Sequence, residues 1–190
     1  NITLMSRSGV LPEADFYCPI PYEPLSVLTE SVAESEIAKG PDGLLDRIFA
    51  LMVKELELAD PRWCQAIAIG TLNADTLRDV WFEDRKKHGP FTWAEANLKE
   101  VERNKCEKRT VAWRYTVLRL HEVVQAIVPS LNERDRERFK SGLERVFIDN
   151  YAAIPPQSIR RLLALREAGI ISVVALGDDY DLDIGSDQTV

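Results

Sequence analysis

Three consecutive residues near the start of the chain, Ser6, Arg7 and Ser8, have the side chains best suited to holding a phosphate. A guanidinium meets a phosphate with a two-pronged fork, and flanking hydroxyls add further donors. The three directly follow the apolar run Ile2-Thr3-Leu4-Met5, which reads as a strand. In dinucleotide-binding βαβ units the second strand ends beside the adenosine ribose. There an acidic residue accepts the hydroxyl of NAD, while Arg or Ser holds the extra phosphate of NADP. The plainer reading is a polar turn after a strand, and because the nine glycines of the chain form no GxGxxG or Walker-type loop, the residues alone favour it.

The remaining reactive side chains point away from hydrolysis and from metal chemistry. His88 and His121 are the only histidines. His88, in Lys86-Lys87-His88-Gly89, sits where a basic side chain complements the end of a helix, and His121 reads as a packing or surface residue in mid-helix. No HExxH, Ser/His/Asp order or nucleophile elbow is present. Cys18, Cys64 and Cys106 show no metal-ligand spacing and read as reduced thiols. The acidic run from Asp178 to Asp183 lacks the glycine and glutamate positions of a calcium loop and reads as a solvated turn. The runs Glu83 to Lys87 and Glu133 to Arg138 mix both signs, which suits exposed helix faces better than a nucleic-acid stripe. Trp63, Trp81, Trp93 and Trp113 fall on helical stripes, where core packing is the default and a pocket wall the alternative.

The elements that must position these residues are mostly helices. Residues 1–24 read as the end of a strand plus a connector rich in proline and aromatics. Residues 25–169 read as a helical domain, and residues 170–190 as a return strand and acidic turn. Pro41-Asp42 suits a first turn leading into Leu44, Leu45, Ile48, Met52 and Leu56. A second helix follows Asp60-Pro61 and stops near Gly70, and a third spans Ala74 to His88. Thr92 and Glu95 form a capping box for a helix that runs on to Val128, with a break near Asn104. Asn132 caps a helix reaching about Tyr151, and Pro156 opens one closed by Gly169. Ile170 to Leu176 is apolar and β-branched, a buried strand. The fold class is therefore mainly α, or α+β with its flanking strands, which form the edge of a sheet or pair with each other. The opening directly on a strand, without a methionine, suggests a piece of something longer.

Bulk properties narrow the partners. A formal net charge of −7 disfavours nucleic acid and anionic membranes. No apolar run reaches bilayer length and no secretory signal is recognisable, so a cytoplasmic setting is expected.

The run Ile2-Thr3-Leu4-Met5-Ser6-Arg7-Ser8-Gly9-Val10-Leu11-Pro12 resembles the strand and SRxGxLP turn of a family of bacterial FAD/NAD(P)-binding proteins with Rossmann-like nucleotide domains. Trp113-Arg114, Leu118-Arg119, Arg138-Phe139, Ala153-Ile154-Pro155-Pro156 and Gly169-Ile170-Ile171-Ser172-Val173 are similar in order to that family's helical region. Residues from about Glu30 to Thr110 match it poorly, and Asp149-Asn150-Tyr151 stands where many relatives have a His/Arg-rich stretch. The resemblance implies a bundle-like helical insertion in a Rossmann-like sheet. It further implies a parent flavoprotein holding FAD and NAD(P), with none bound by this chain alone and Ser6, Arg7 and Ser8 touching the dinucleotide. An enzyme of this kind would be a flavin-dependent NAD(P)H oxidoreductase or monooxygenase-like protein, with this chain on its substrate side and its partner the remainder of the parent. The alternative is a cofactor-free helical protein-interaction module, and a ligand-binding regulator domain ranks third.

Overall fold

A computed structural model of the protein describes residues 1–177. The order is β1 (Ile2–Ser6), α1 (Glu30–Ala38), α2 (Leu44–Ala59), α3 (Pro61–Ala66), α4 (Leu77–Lys87), α5 (Pro90–Glu107), α6 (Ala112–Ile127), α7 (Glu133–Ser141), α8 (Leu143–Tyr151), α9 (Pro156–Glu167) and β2 (Ile171–Ala175). The fold is mainly helical, with a two-stranded parallel sheet. The acidic stretch from Asp178 to Val190 lies outside the described residues.

Most helix starts follow from local chemistry. The Thr29 hydroxyl accepts from Val32 N–H, the Asp60 carboxylate from Trp63 N–H at 3.1 Å, and Asn132 Oδ1 from Asp135 N–H at 2.8 Å. Each answers a backbone donor that the first turn leaves open. Pro156 opens α9, and Gly169, at φ +70°, follows its end.

Several boundaries differ from expectation, α3 among them, which ends at Ala66 rather than near Gly70 because the backbone turns left-handed at Ala68. Gly40 and Gly43 both take positive φ, so Pro41-Asp42 forms a turn ahead of α2 rather than its first turn. α5 starts at Pro90, which leaves Thr92 inside the helix without a capping bond, while Glu95 pairs with Lys99 at 2.6 Å. The long helix breaks at Lys108, not Asn104. There the backbone turns left-handed, and Asn104 holds the next segment by accepting Arg109 N–H at 2.8 Å and Arg109 Nε–H at 2.9 Å. The helix expected from Asn132 to Tyr151 is two helices, divided at Gly142.

Gly142 is small because Ala74 is close. A Cβ at this position would press into the Ala74 carbonyl oxygen, well inside van der Waals distance, and would lie 3.2 Å from the Arg138 carbonyl. Neither backbone oxygen can rotate away as a side chain would. Gly142→Ala is expected to cost about 1–3 kcal/mol by overpacking, read from chemical denaturation. An unchanged midpoint would show that α7 and α8 re-angle freely.

Two apolar clusters divide the interior. The larger gathers Leu44, Ile48, Met52 and Leu56 of α2 with Val117, Leu120 and Val124 of α6 and Leu143, Val146 and Phe147 of α8. The smaller joins Leu11, Ala14 and Phe16 of the connector to Ala94, Leu98 and Val101 of α5 and Ile159 of α9, with Leu4 and Val173 of the strands packed against it. β1 and β2 pair in parallel from Ile2↔Ile171 to Ser6↔Ala175. Their other face is open, with Met5 61% and Val174 42% exposed, so β2, expected as a buried strand, is covered on one side only because the pair has no second layer among the described residues.

Candidate functional site

A cavity of about 430 Å³ lies where the two clusters meet, walled by α3, α4, α5 and the start of α6. Its side chains arrive there by helical spacing. Leu77, Trp81 and Arg85 recur every four residues on α4, as do Trp93 and Asn97 on α5, so each set shares a face. Trp63 comes from α3, and Trp113 with Arg114 from the start of α6.

The indoles lock one another. Trp63 and Trp113 stack at 4.6 Å with 6° between their planes, and Trp81 stands edge-on to Trp113 at 5.2 Å and to Trp63 at 6.5 Å. Trp93, from the smaller cluster, lies under the Arg85 guanidinium at 4.4 Å. These offset and edge arrangements suit the ring quadrupole.

Beneath the rings runs a buried polar network. Arg85, with only 3% of its side chain exposed, donates to Glu13 Oε1 at 2.9 Å and to Asp149 through both terminal nitrogens, Nη1 to Oδ1 at 2.5 Å. Asp149 also accepts Trp81 Nε1–H at 2.7 Å. Arg114 approaches the other side of Glu13, with Nε 3.2 Å from Oε2, and reaches Glu100 at 3.4 Å. Burial pushes the Glu13 carboxyl above the usual carboxylate range, against the pull of Arg114 and Arg85. The backbone around Glu13 is pinned as well. Its carbonyl accepts Ile154 N–H at 2.9 Å, and Ala14 N–H donates to Asn97 Oδ1 at 2.8 Å. Asn97 Nδ2 is left without a hydrogen-bond partner among the described residues.

The residues singled out from sequence fall in different places. Ser6, Arg7 and Ser8 stand exposed at the carboxyl end of β1 and do not line the cavity. The Ser6 hydroxyl accepts Gly9 N–H at 3.0 Å, and the Arg7 carbonyl accepts Gly177 N–H at 3.0 Å. Gly9, at φ +66°, approaches Ala175 so closely that a Cβ would lie 2.8 Å from the Ala175 side chain. His88 Nδ1 lies 2.8 Å from the Asp84 carbonyl at the end of α4, in keeping with a helix-end role, and it also reaches the cavity rim. Cys64 is buried, which pushes its thiol up to about 11 and leaves it a poor nucleophile.

His121 packs against Tyr151 at 4.6 Å and Phe147 at 5.6 Å, and burial holds its pKa below the ordinary 6.5. A depressed folded value means that the neutral ring's contribution is complete above pH 6.5 and is lost as pH falls through the folded pKa. Wild type is therefore expected to lose stability between pH 6.5 and 5 more steeply than His121→Phe, compared by urea midpoints. Parallel slopes would remove His121 from the account.

Arg85 and Asp149 were missed as functional residues. Arg85 sits in the mixed-sign run read as an exposed face, yet it is buried. Lys87 and Glu83 of the same run do pair on the surface at 2.7 Å. The four-residue step from Trp81 to Arg85 was the available signal, since it places both on one face. Core packing also understates the tryptophans, because all four line the cavity.

Architecture and cavity define a helical domain carried on a short parallel strand pair. The profile of the YdhS-like middle domain matches residues 29–151, more than half of the chain, and the chain belongs to that family. It is 64% identical over 190 residues to the Uncharacterized protein YdhS of Escherichia coli (strain K12), covering 100% of this chain and 36% of that protein. No solved structure matches. Among the described residues, no helix is long and apolar enough to cross a membrane.

Proposed function

We propose that this domain forms the helical, substrate side of a flavin- and nicotinamide-dependent oxidoreductase whose FAD and NAD(P) are held mainly by other parts of the protein. The observation that carries the reading is the position of Ser6-Arg7-Ser8 at the carboxyl end of a parallel strand pair. Open parallel sheets bind nucleotides at that end. The tight turn at Gly9 brings backbone against backbone there, and the guanidinium and hydroxyls supply phosphate donors. The open face of the pair also supports the reading, because parallel sheets are ordinarily covered on both sides. The flavin, when bound, supplies the hydride chemistry. The residues of this chain hold the nucleotide phosphate and screen the substrate from water.

The test is the visible absorption spectrum of the full-length protein carrying this domain, purified without added cofactor. A flavin spectrum is expected, with NADPH binding weakened on the order of tenfold by Arg7→Ala, the loss of one charge-assisted contact. A colourless protein that FAD cannot reconstitute overturns the reading in favour of a cofactor-free interaction module.

A further inference from the structure

We infer that the tryptophan-lined cavity binds a planar conjugated ring bearing positive charge, of the N-substituted pyridinium type. All four tryptophans of the chain line this one space, drawn from four different helices and from both apolar clusters. The volume of about 430 Å³ matches that of small-ligand pockets. The stacked and edge-on rings hold the walls in place before any ligand arrives, so little ordering is left for binding to impose.

Charge selects the ligand within that shape. The lining carries the carboxylates of Glu13, Asp84 and Glu100 against the guanidinium groups of Arg85 and Arg114, and Asp149 further offsets Arg85 from behind. Three lining carboxylates thus meet two guanidinium groups and the His88 imidazole, whose Nδ1 stands 3.5 Å from Asp84, and with Asp149 offsetting Arg85 from outside the lining the acidic surplus lies toward the mouth. There the Asp84 side chain is 76% and that of Glu100 38% exposed. Asp84 also accepts the Trp93 indole N–H at 3.2 Å, which enriches the electron density of that ring. The indoles already hold cations, with Arg85 over Trp93 at 4.4 Å and Arg114 over Trp113 at 4.7 Å. Aromatic faces rimmed by carboxylates attract a cation and repel an anion. Asn97, buried in the same lining with Nδ2 unpartnered among the described residues, offers a donor to an acceptor on the ring's inner edge.

A pyridinium-type ring has two sources, the oxidised nicotinamide of the nucleotide or an N-heterocyclic substrate. The inference rests on the oxidoreductase reading only in naming these sources, since the binding needs no flavin. The experiment uses the ¹⁵N-labelled 190-residue chain, whose four indole N–H resonances report directly on the cavity. N-methylquinolinium and 1-methylnicotinamide are the cationic probes, and 1-naphthoate is the anionic control of similar size to the first. At least one cation is expected to shift the indole resonances saturably, at least tenfold more tightly than naphthoate. The Asp84→Asn/Glu100→Gln double variant should erase that preference while keeping the indole dispersion of a folded chain. Tighter binding of methylnicotinamide assigns the cavity to the nucleotide ring, and tighter binding of quinolinium assigns it to a substrate. Absence of saturable shifts with either cation, or equal binding of naphthoate, overturns the inference. A full-length protein that is yellow yet shows neither shift would retain the oxidoreductase reading and lose this one.

Discussion

Replacing Arg85 with alanine is expected to destabilise the fold by about 3–5 kcal/mol, the usual cost of stripping one partner from a buried ion network. Asp149 would lose its guanidinium partner and Glu13 one of its two, Arg114 remaining, and the side chains of Glu13 and Asp149 are only 4% and 11% exposed. The guanidinium also fills the space over Trp93 and Phe82, at 4.4 and 5.3 Å from their ring centres, so its removal opens a void as well. Lysine should rescue little, because an ammonium cannot fork onto Asp149 and still reach Glu13. The measurement is urea unfolding of Arg85→Ala and Arg85→Lys. A loss below about 1 kcal/mol would mean that water replaces the guanidinium and that the network is not a closed unit.

Glu55→Leu should be nearly as damaging, although leucine suits the apolar surroundings of α2. The Glu55 carboxylate, on a residue 3% exposed, accepts three successive backbone N–H groups, those of Ser26 at 2.9 Å, Val27 at 2.5 Å and Leu28 at 3.0 Å. One side chain thereby fixes the segment that delivers Leu25 and Leu28 to the core ahead of α1. Leucine would strip three donors of their acceptor; stranding the buried Leu28 N–H costs about 1–3 kcal/mol, and with the part-buried bonds of Ser26 and Val27 also lost the total is on the order of 3 kcal/mol. Thermal unfolding checks the magnitude, and limited proteolysis between Pro19 and Thr29 checks the place. Wild-type stability would show that this backbone hydrates in the variant.

Locally encoded features were legible from sequence. The stripe of α2, the Asn132 cap, and the Pro156 opening and Gly169 close of α9 each depend on residues within a turn or two of one another. The β-branched run after Gly169 became β2 for the same reason. What escaped was set by contacts distant in sequence. Where the helix divides at Gly142, only a residue without a Cβ can stand against the Ala74 carbonyl, and nothing in the run from Asn132 to Tyr151 announces Ala74. The charged network joins Glu13 to Arg85 and Arg114 across 72 and 101 residues, so Arg85 reads as a surface charge in its own run and nothing near Glu13 in sequence marks it as a partner. Ser6, Arg7 and Ser8 were placed correctly at a strand end, but the cavity could not be seen until four helices were assembled.

The parallel strand pair has a consequence for the order of folding. Thr3 and Ser172 meet across 169 positions of chain, so the pair closes a loop that contains every helix among the described residues. Closing so long a loop from the unfolded chain is entropically costly, whereas the helices need only near neighbours. Once α9 has docked on α5, the distance is already spanned and the second strand is delivered beside the first. The strands are thus expected to zip last in refolding and to open first in the native state. In hydrogen exchange, the amides of Leu4 and Ser6, which face β2, should lose protection well before those of α2 and α6. Equal protection would mean that the pair belongs to the earliest folding unit.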